Sequence, residues 1–205
     1  EKAISPAATK ALEAKYGLDK PMAERYFTYI SDAAHGDFGD SLKQRGRTVM
    51  DIIATKFPVS AKLGGMAVVL ALCVGVPLGV LAAYKRGTFI DSLFSVIATC
   101  GIAVPGFVIC TLLLYVFGVK LQWLPTLGLK SAQSYIMPVV ALAAYPTSYI
   151  MRLMRSSMLD VLGQDYMRTA KAKGLSQKVS LFKHALRNAI LPVITYVGPM
   201  LAYTL

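Results

Sequence analysis

Four long apolar runs, separated by shorter polar segments, dominate the chain. Residues 63–84 form an uncharged run of 22 residues, and residues 92–119 and 131–151 form uncharged runs of 28 and 21. Because a helix rises about 1.5 Å per residue, each of these runs can cross the ~30 Å hydrocarbon core of a bilayer. The last run, 188–205, is predicted to be the start of a fourth span.

Prolines interrupt these runs. As one straight helix, residues 92–119 would be about 42 Å long, which is more than a bilayer needs. Pro105-Gly106 near the middle therefore predicts a kinked or two-part element, with the true span starting at about Gly106. Tyr145 and Pro146 lie inside the third run and, with Pro105 and Gly106, are candidate pathway or hinge residues. The alternative for a tyrosine in a span is an interface anchor or a packing residue.

The first apolar run is also rich in glycine. Its glycines would allow a second helix to pack closely, and they are Gly64, Gly65, Gly75 and Gly79. The alternative is that glycine is simply common in membrane helices.

The first 57 residues are more polar and are predicted to form a small helical cap at a membrane surface. Capping residues at both ends predict a helix over 5–16, and an apolar face predicts a second helix over 21–34. The sequence HGDFGDS that begins at His35 indicates a turn. We expect no metal site there, because the paired His or Cys spacing of a metal centre is absent from the sequence.

Composition agrees with a membrane protein. The chain is 55% hydrophobic, only 16% charged, and carries a formal net charge of +11. A typical soluble domain has about a quarter of its residues charged. Clustered basic residues could indicate nucleic acid, but here uncharged runs too long for a nucleic-acid module separate them, so we expect no nucleic-acid partner.

The basic residues are unevenly distributed, and this predicts the topology. Residues 1–57 contain nine Lys/Arg and eight Asp/Glu, whereas residues 58–205 contain thirteen and three. Residues 152–187 contain eight Lys/Arg and two Asp, and residues 120–130 contain two Lys. Because basic loops remain inside, residues 152–187 are predicted to be cytoplasmic, together with residues 85–91. Residues 1–57 and 120–130 are then outside.

The basic segment 160–192 is the predicted meeting point with a soluble partner. On a helix, Ala170 and Gly174 stand four apart and Thr169 and Ala172 three apart, which creates a face of small side chains. Such a face allows another surface to come close. The alternative is an ordinary cytoplasmic loop, which is basic because such loops usually are.

The sequence contains no recognisable catalytic constellation. The two histidines, His35 and His184, fall on opposite sides of the membrane in the predicted topology, and the phosphate-binding loop, HExxH and GxSxG motifs are absent from the sequence. The central apolar runs carry no ionisable Asp, Glu, Lys, Arg or His, which argues against an ion-coupled pump. Energy for any work must therefore come from elsewhere.

Several motifs together carry a family resemblance. Residues 165–175, DYMRTAKAKGL, followed by HALRN at 184–188, resemble the cytoplasmic coupling loop of bacterial ABC importer permeases. More narrowly, they resemble the B-type permease subunit of the oligopeptide, dipeptide and nickel branch. Further matches follow in the same order along nearly the whole chain: YGLDKP at 16–21, AHGDFG at 34–39, FPVSAKL at 57–63, VPGF at 104–107, WLP at 123–125 and Leu-Pro at 191–192.

The resemblance implies an all-α membrane protein, a polytopic helical bundle of the type I ABC importer permease kind. Such permeases have six spans, so we expect this sequence to be a fragment that lacks the first and last spans. Residues 1–57 would be an extracytoplasmic helical segment and residues 58–205 the transmembrane permease domain. Residues 160–187 of that domain would be the cytoplasmic coupling loop.

The resemblance also implies a function. The chain would be a membrane-spanning subunit of an ATP-driven importer, and it would form part of the translocation pathway for di- and oligopeptides. We expect no enzyme activity and no cofactor on this chain, since ATP and Mg²⁺ would bind to separate ATPase subunits. The alternatives are a nickel or other small-solute importer of the same family, and a non-transporting membrane scaffold.

The resemblance places the protein as a multi-pass component of the bacterial cytoplasmic (inner) membrane, in contact with lipid. The partners that it implies are a second permease subunit in a heterodimer, two ABC ATPase subunits and an extracytoplasmic solute-binding protein.

The ATPase-coupling residues that the resemblance implies are Asp165, Arg168, Thr169, Ala170, Ala172, Gly174 and Leu175. The wider family has Glu-Ala-Ala, three residues and then Gly in this loop, and Arg168 stands where that Glu would be. A salt-bridge role for the Glu therefore does not carry over. We expect docking to depend on the small face of Ala170 and Gly174.

Overall fold

The computed structural model describes residue 10, residues 17–44, 46–176 and 179–205, with Lys171 described only in its backbone. Throughout these residues the regular secondary structure is helical, and the one β-bridge, between Asp40 and Thr48, is isolated. The predicted all-α class is therefore confirmed.

The chain divides into two compact units, Glu1–Pro58 and Val59–Leu205. In the first unit, helix α1 covers Met22–Ala34, which confirms the helix predicted over 21–34. The chain then turns at His35 and Gly36, as the HGDFGDS sequence predicts. The helix predicted over 5–16 lies outside the described residues, apart from Lys10.

Helix α2, Val49–Tyr84, has 36 residues and is about 54 Å long. It begins well before the uncharged run at residue 63, because Thr48 and Asp51 cap its first turn reciprocally. The Asp51 amide donates to Thr48 Oγ1 at 3.1 Å, and the Thr48 amide donates to Asp51 Oδ2 at 3.4 Å. This local capping starts the helix ahead of a mixed stretch, residues 49–62, which carries the charges of Asp51, Lys56 and Lys62 and in which hydropathy indicates no boundary.

The remaining helices follow in short succession. They are α3, Phe89–Ala103; α4, Gly106–Leu113, which continues as a π-helical segment Leu114–Lys120; a 3₁₀ turn, Ala132–Tyr135; α5, Ile136–Leu162; α6, Asp165–Ala172; a π-helical segment, Ser180–Ala185; α7, Leu186–Ala189; and α8, Leu191–Thr204.

Two helical stretches are long and apolar enough to cross a membrane by themselves, Val49–Tyr84 and Ala132–Leu162. Two pairs of helical segments are also long and apolar enough when the two parts of each pair are taken together, but each pair is bent. They are Phe89–Ala103 with Gly106–Lys120, bent by 101°, and Ser180–Ala189 with Leu191–Thr204, bent by 45°. Among the described residues there are thus two such spans, or up to four if each bent pair is one span.

The sharp bend confirms the two-part element predicted at Pro105-Gly106. Helix α3 ends at Ala103, and Val104 adopts an extended conformation with φ −80° and ψ 122°. The residue before a proline avoids the helical region because its amide and Cβ would meet the proline ring. Gly106 then opens α4, with Pro105 as its N-cap residue.

Helices α2 and α5 pack backbone against backbone at two glycines. A Cβ atom added to Gly75 would lie 2.8 Å from the Thr147 carbonyl oxygen, and one added to Gly79 would lie 2.6 Å from that of Met151. Gly64 approaches α8 in the same way, since a Cβ atom added to it would lie 2.9 Å from the Thr204 carbonyl oxygen. Close packing is therefore confirmed at three of the glycines. It is wrong for Gly65, where a Cβ would meet open space.

The main core of the second unit lies among α2, α5, α6 and α8, and we call it the methionine core because most of its largest buried side chains are methionines. Its fully buried large side chains include Ile150, Met154, Met158, Met167, Val193 and Met200. Methionine is unbranched and flexible, so it fills irregular gaps between helices that cross at different angles. This core joins the polar segment after residue 160 directly to the apolar helices.

Candidate functional site

Helix α6 is the centre of the candidate site, because it carries most of the residues expected to contact a partner. The chain leaves α5 at Gly163, and the Gln164 carbonyl oxygen accepts hydrogen bonds from the amides of Met167 and Arg168 at 3.0 and 3.4 Å. Eight residues of helix follow, Asp165–Ala172. The resulting element is a short, amphipathic helix directly after a long membrane helix.

One face of α6 turns toward the protein's own core. Met167 is 1% exposed and belongs to the methionine core, and Ala170, one turn later, is 8% exposed. The opposite face carries the exposed side chains of Asp165, Arg168 and Thr169. The inner face of α6 thus holds the helix against the core, and its outer face is exposed.

Ala170 and Gly174 do not form one exposed helical face, and docking of a partner at this segment stays a prediction. Ala170 lies on the inward face, where its small size lets α6 approach the chain beneath it. Gly174 is exposed, but it comes after the end of the helix. Sequence spacing correctly indicates which residues share a helical face, but it does not indicate which face turns inward.

Gly174 has a conformational role that its position explains. Its φ is +75°, and the Leu175 amide donates to the Ala170 carbonyl oxygen at 3.3 Å. This six-residue bond around a left-handed glycine is the Schellman arrangement that ends a helix. Gly174 therefore sets where α6 stops and where the chain leaves it, while Leu175 is half-exposed beyond the turn.

A side-chain hydrogen bond fixes the start of α6 to the segment that follows. Asn188 Nδ2 on α7 donates to the Tyr166 hydroxyl at 2.9 Å. The helix also packs against the π-helical segment Ser180–Ala185. With the Met167 contact, these interactions couple α6 mechanically to both neighbouring membrane helices, α5 before it and α8 after it.

A charged pair lies close to the same end of the second unit. Arg155 on α5 donates from Nε to Asp91 Oδ1 at 2.6 Å and from Nη2 to Asp91 Oδ2 at 2.8 Å. The Gly87 amide donates to Asp91 Oδ2 at 3.0 Å, and Asp91 is 6% exposed. This bidentate arrangement joins the start of α3 to the end of α5. It brings the loops at 85–91 and after residue 162 to the same end of the bundle.

The two parts of the pathway-or-hinge set have different surroundings. Pro105 and Gly106 occupy the 101° bend, and a Cβ on Gly106 would meet open space. Pro146 is fully buried inside α5, which continues through it without a break. Thus Pro105-Gly106 has the geometry of a hinge, and Pro146 has that of a packing residue.

Tyr145 belongs to a cluster of aromatic rings that joins α5 to α8. Its ring centroid lies 6.4 Å from that of Tyr149 and 6.2 Å from that of Tyr203, and Tyr149 lies 4.4 Å from Tyr196. The sequence indicates Tyr145 as a candidate but not Tyr196 or Tyr203. Their i, i+7 spacing on an apolar helix is the pattern that could have indicated a shared face.

Within the described ranges, His, Cys, Asp and Glu side chains do not gather in groups of three or more that could hold a metal ion. His35 Nδ1 lies 2.7 Å from the Ser31 carbonyl oxygen, at the end of α1.

Sequence reasoning missed two contacts of this site, Met167 with the core and Asp91 with Arg155. Asp91 is the only acidic residue between residues 58 and 159, and a lone acid beside a long apolar run is the pattern that could have indicated a buried partner. Met167 offers no such pattern, because its burial depends on residues that are distant in the sequence.

Comparison with known proteins gives a family match. The profile of the family described as the inner membrane component of binding-protein-dependent transport systems matches residues 75–205. The matched region contains α3 to α8 and the last part of α2, and so it includes the whole candidate site.

Three curated relatives illustrate the similarity. The oligopeptide transport system permease protein OppB of Salmonella typhimurium is 44% identical over 97% of this chain. The dipeptide transport system permease proteins DppB of Bacillus subtilis and of Lactococcus lactis are 44% and 38% identical over 98% and 97% of it. The chain spans 66% of the length of each of these relatives.

Proposed function

Because the chain belongs to the family of inner membrane components of binding-protein-dependent transport systems, we propose that it is a membrane-spanning subunit of an ATP-driven peptide importer. Its relatives are permease proteins of oligopeptide and dipeptide transport systems, which supports di- and oligopeptides as the substrate class. The chain would form part of the translocation pathway.

The observation that carries the proposal is the double-sided attachment of α6. Its outer face, with Asp165, Arg168 and Thr169, is free for a partner, while Met167 on its inner face enters the core. A push on the outer face is therefore transmitted to the packed side chains of α5 and α8 rather than absorbed by a loose loop. Packed cores respond to such a displacement by moving as blocks, since they are not continuously deformable.

The proposed mechanism is alternating access driven by a separate ATPase. Two ABC ATPase subunits would bind ATP and Mg²⁺, and their closure would displace α6 together with α5 and α8. A second permease subunit would complete the pathway, and an extracytoplasmic solute-binding protein would deliver the peptide. ATP binding supplies the difference in free energy between the two pathway states. This chain itself would contribute the surface of α6 that binds an ATPase subunit and the helices α5 and α8 that move with it.

The orientation is part of the proposal. The end of the bundle that carries α6 and the Asp91–Arg155 pair would face the cytoplasm, since residues 152–187 hold most of the basic loop residues. Residues 1–57 would lie outside. The ATPase subunits and the solute-binding protein would then approach opposite sides of the membrane.

Reconstitution of the full transporter tests this function. The complex, assembled with both ATPase subunits, the second permease and the binding protein, is expected to accumulate a radiolabelled peptide in liposomes only when ATP is present. Accumulation of Ni²⁺ instead of the peptide would refute the substrate class. Assembly and ATP hydrolysis without accumulation of either solute would refute transport and favour a scaffold.

A further inference from the structure

Four tyrosines form one continuous surface across two helices. Tyr145 and Tyr149 stand four apart on α5, and Tyr196 and Tyr203 stand seven apart on α8, so each pair lies on a single helical face. The closest rings, Tyr149 and Tyr196, have centroids 4.4 Å apart. We call this set the tyrosine wall.

The position of the tyrosine wall along α5 is not that of an interface anchor. Tyr145 lies nine residues after Ile136, or about 14 Å along the helix, and Tyr149 lies six residues, about 9 Å, before Arg155. Tyrosines of the interfacial belt lie at the level of the lipid head groups, close to the helix ends. The tyrosine wall is therefore near the middle depth of the bundle, where a hydroxyl needs a polar neighbour.

The tyrosine wall is supported from behind and open in front. Behind it, Tyr196 packs against the buried cluster that contains Ile150 and Val193. In front, Tyr145 is 40% exposed and Tyr203 is 78% exposed. The exposed part of this surface combines aromatic rings with neutral hydroxyl groups.

This chemistry suits the main chain of a peptide. A tyrosine hydroxyl both donates and accepts, so it can pair with either the amide or the carbonyl of any peptide bond. The rings accept apolar side chains and also attract an ammonium group over their faces. Because the hydroxyl groups carry no formal charge, they can pair with the main chain of acidic and basic peptides alike.

We propose that the tyrosine wall lines the translocation pathway and binds the main chain of the peptide in transit. This inference rests on the proposed function, and it adds the residues that hold the substrate within the membrane. Weak, sequence-independent hydrogen bonds would let peptides of different sequence enter and leave at similar rates.

The test removes hydroxyl groups and keeps the rings. The full reconstituted transporter is prepared with Tyr149→Phe, Tyr196→Phe, the double variant and the control Tyr115→Phe. Tyr115 lies on the π-helical segment Leu114–Lys120, is 51% exposed and is not part of the tyrosine wall. The probes are radiolabelled trialanine and its depsipeptide analogue, in which one amide is replaced by an ester and loses its N–H.

The expected result is a coupling between hydroxyl and amide. In the wild-type transporter, trialanine is taken up faster than the depsipeptide. In the double variant, the ratio of the two uptake rates falls about threefold to tenfold, because the hydrogen bond between hydroxyl and amide is already missing and replacing the amide costs nothing more. Discrimination by the binding protein is the same in all variants and cancels. The ratio in Tyr115→Phe stays at the wild-type value, and the single variants give intermediate ratios even if the double variant assembles poorly.

A ratio unchanged in Tyr149→Phe and Tyr196→Phe, in a transporter that accumulates trialanine, would overturn the tyrosine wall as a peptide-binding surface and leave the proposed function intact. Failure of the wild-type transporter to accumulate trialanine would overturn the proposed function, and the inference with it.

Discussion

At the scale of single residues, glycine fixes two different features of this protein. Gly75 and Gly79 let the backbones of α2 and α5 touch, whereas Gly174 supplies a left-handed residue at the end of α6. The first role depends on missing volume and the second on a permitted φ angle. The two roles are separable by choice of the replacing residue.

Gly79→Ala should destabilise the second unit. Its new Cβ would lie 2.6 Å from the Met151 carbonyl oxygen and 2.7 Å from Met154 Cβ, so the two helices must separate. Overpacking of this kind costs about 1–3 kcal/mol. The midpoint of thermal unfolding in detergent should fall accordingly. Gly65→Ala is the matched control on the same helix, because its Cβ meets open space; an equal loss in both variants would contradict the close approach.

Gly174→Ala should uncouple ATP hydrolysis from peptide uptake without preventing assembly. At φ +75°, a residue with a Cβ costs roughly 1–2 kcal/mol, so the end of α6 would rearrange. We expect fewer peptides transported per ATP hydrolysed. Gly174→Asn is the control, because asparagine tolerates the left-handed region better than alanine. Gly174→Trp adds bulk to the same strain, and normal transport by it would contradict a role for this turn.

At the scale of helices, the sequence predicts the apolar runs better than the elements that contain them. The break at Pro105-Gly106 is predictable because proline restricts the residue before it. The start of α2 at Val49 is not, because it depends on a capping interaction between Thr48 and Asp51 in a polar stretch. Hydropathy reports what the bilayer requires, whereas helix ends depend on local hydrogen bonds.

The same limit applies to the candidate site. The motif at 165–175 identifies the segment that becomes α6, but its inward face is decided by Met167, which enters a core built from distant helices. No local pattern contains that information, because the buried cluster that includes Met167 is otherwise built from residues of α2, α5 and the chain after residue 180. Residue spacing predicted a face of small side chains, and tertiary packing turned Ala170 inward while Thr169 and Ala172 stayed exposed.

The Asp91–Arg155 pair should stabilise the contact between α3 and α5. Its geometry is bidentate and Asp91 is almost buried, but the Arg155 side chain is 30% exposed, which weakens the interaction through solvent. A double-mutant cycle with Asp91→Ala and Arg155→Ala should give a coupling energy of about 1–2 kcal/mol in unfolding experiments.

The pair Asp165–Arg168 on α6 provides a matched comparison. These side chains are 95% and 79% exposed and 3.4 Å apart, so the same cycle there should give no measurable coupling. If both cycles gave the same result, the buried geometry of the Asp91–Arg155 contact would have no energetic consequence.

At the scale of the whole molecule, the basic residues and the helix ends give one consistent orientation. Asp91 with Arg155 brings the 85–91 loop and the end of α5 to one end of the bundle, and both segments are basic in the sequence. An odd number of crossings between them would place them on opposite sides. The contact therefore requires that α3 to α5 cross the membrane an even number of times, which is the count obtained when α3 and α4 are one bent span and α5 is another.

This count gives a labelling prediction. The side chain of Asp165 on α6 is 95% exposed. In a cysteine-free background, Asp165→Cys should therefore react with a charged, membrane-impermeant thiol reagent only in inside-out vesicles. Leu127→Cys, between the π-helical segment after α4 and α5, is 91% exposed and should react only in intact right-side-out cells or vesicles. Both cysteines replace exposed side chains, so folding should not limit either reaction.

The two labelling patterns distinguish a bent span from a re-entrant loop. If α3 and α4 together returned to the side they started from, residue 127 would lie on the same side as the cytoplasmic 85–91 loop, and the crossing by α5 would place residue 165 outside. Leu127→Cys would then react from the cytoplasm and Asp165→Cys from outside, the reverse of the expected pattern. The expected pattern therefore requires the pair to cross despite its 101° bend. A crossing element with an open bend at Gly106 can change its angle without unfolding either half, since the bend already lacks helical hydrogen bonds. That is the property expected of a hinge that moves when α6 is displaced.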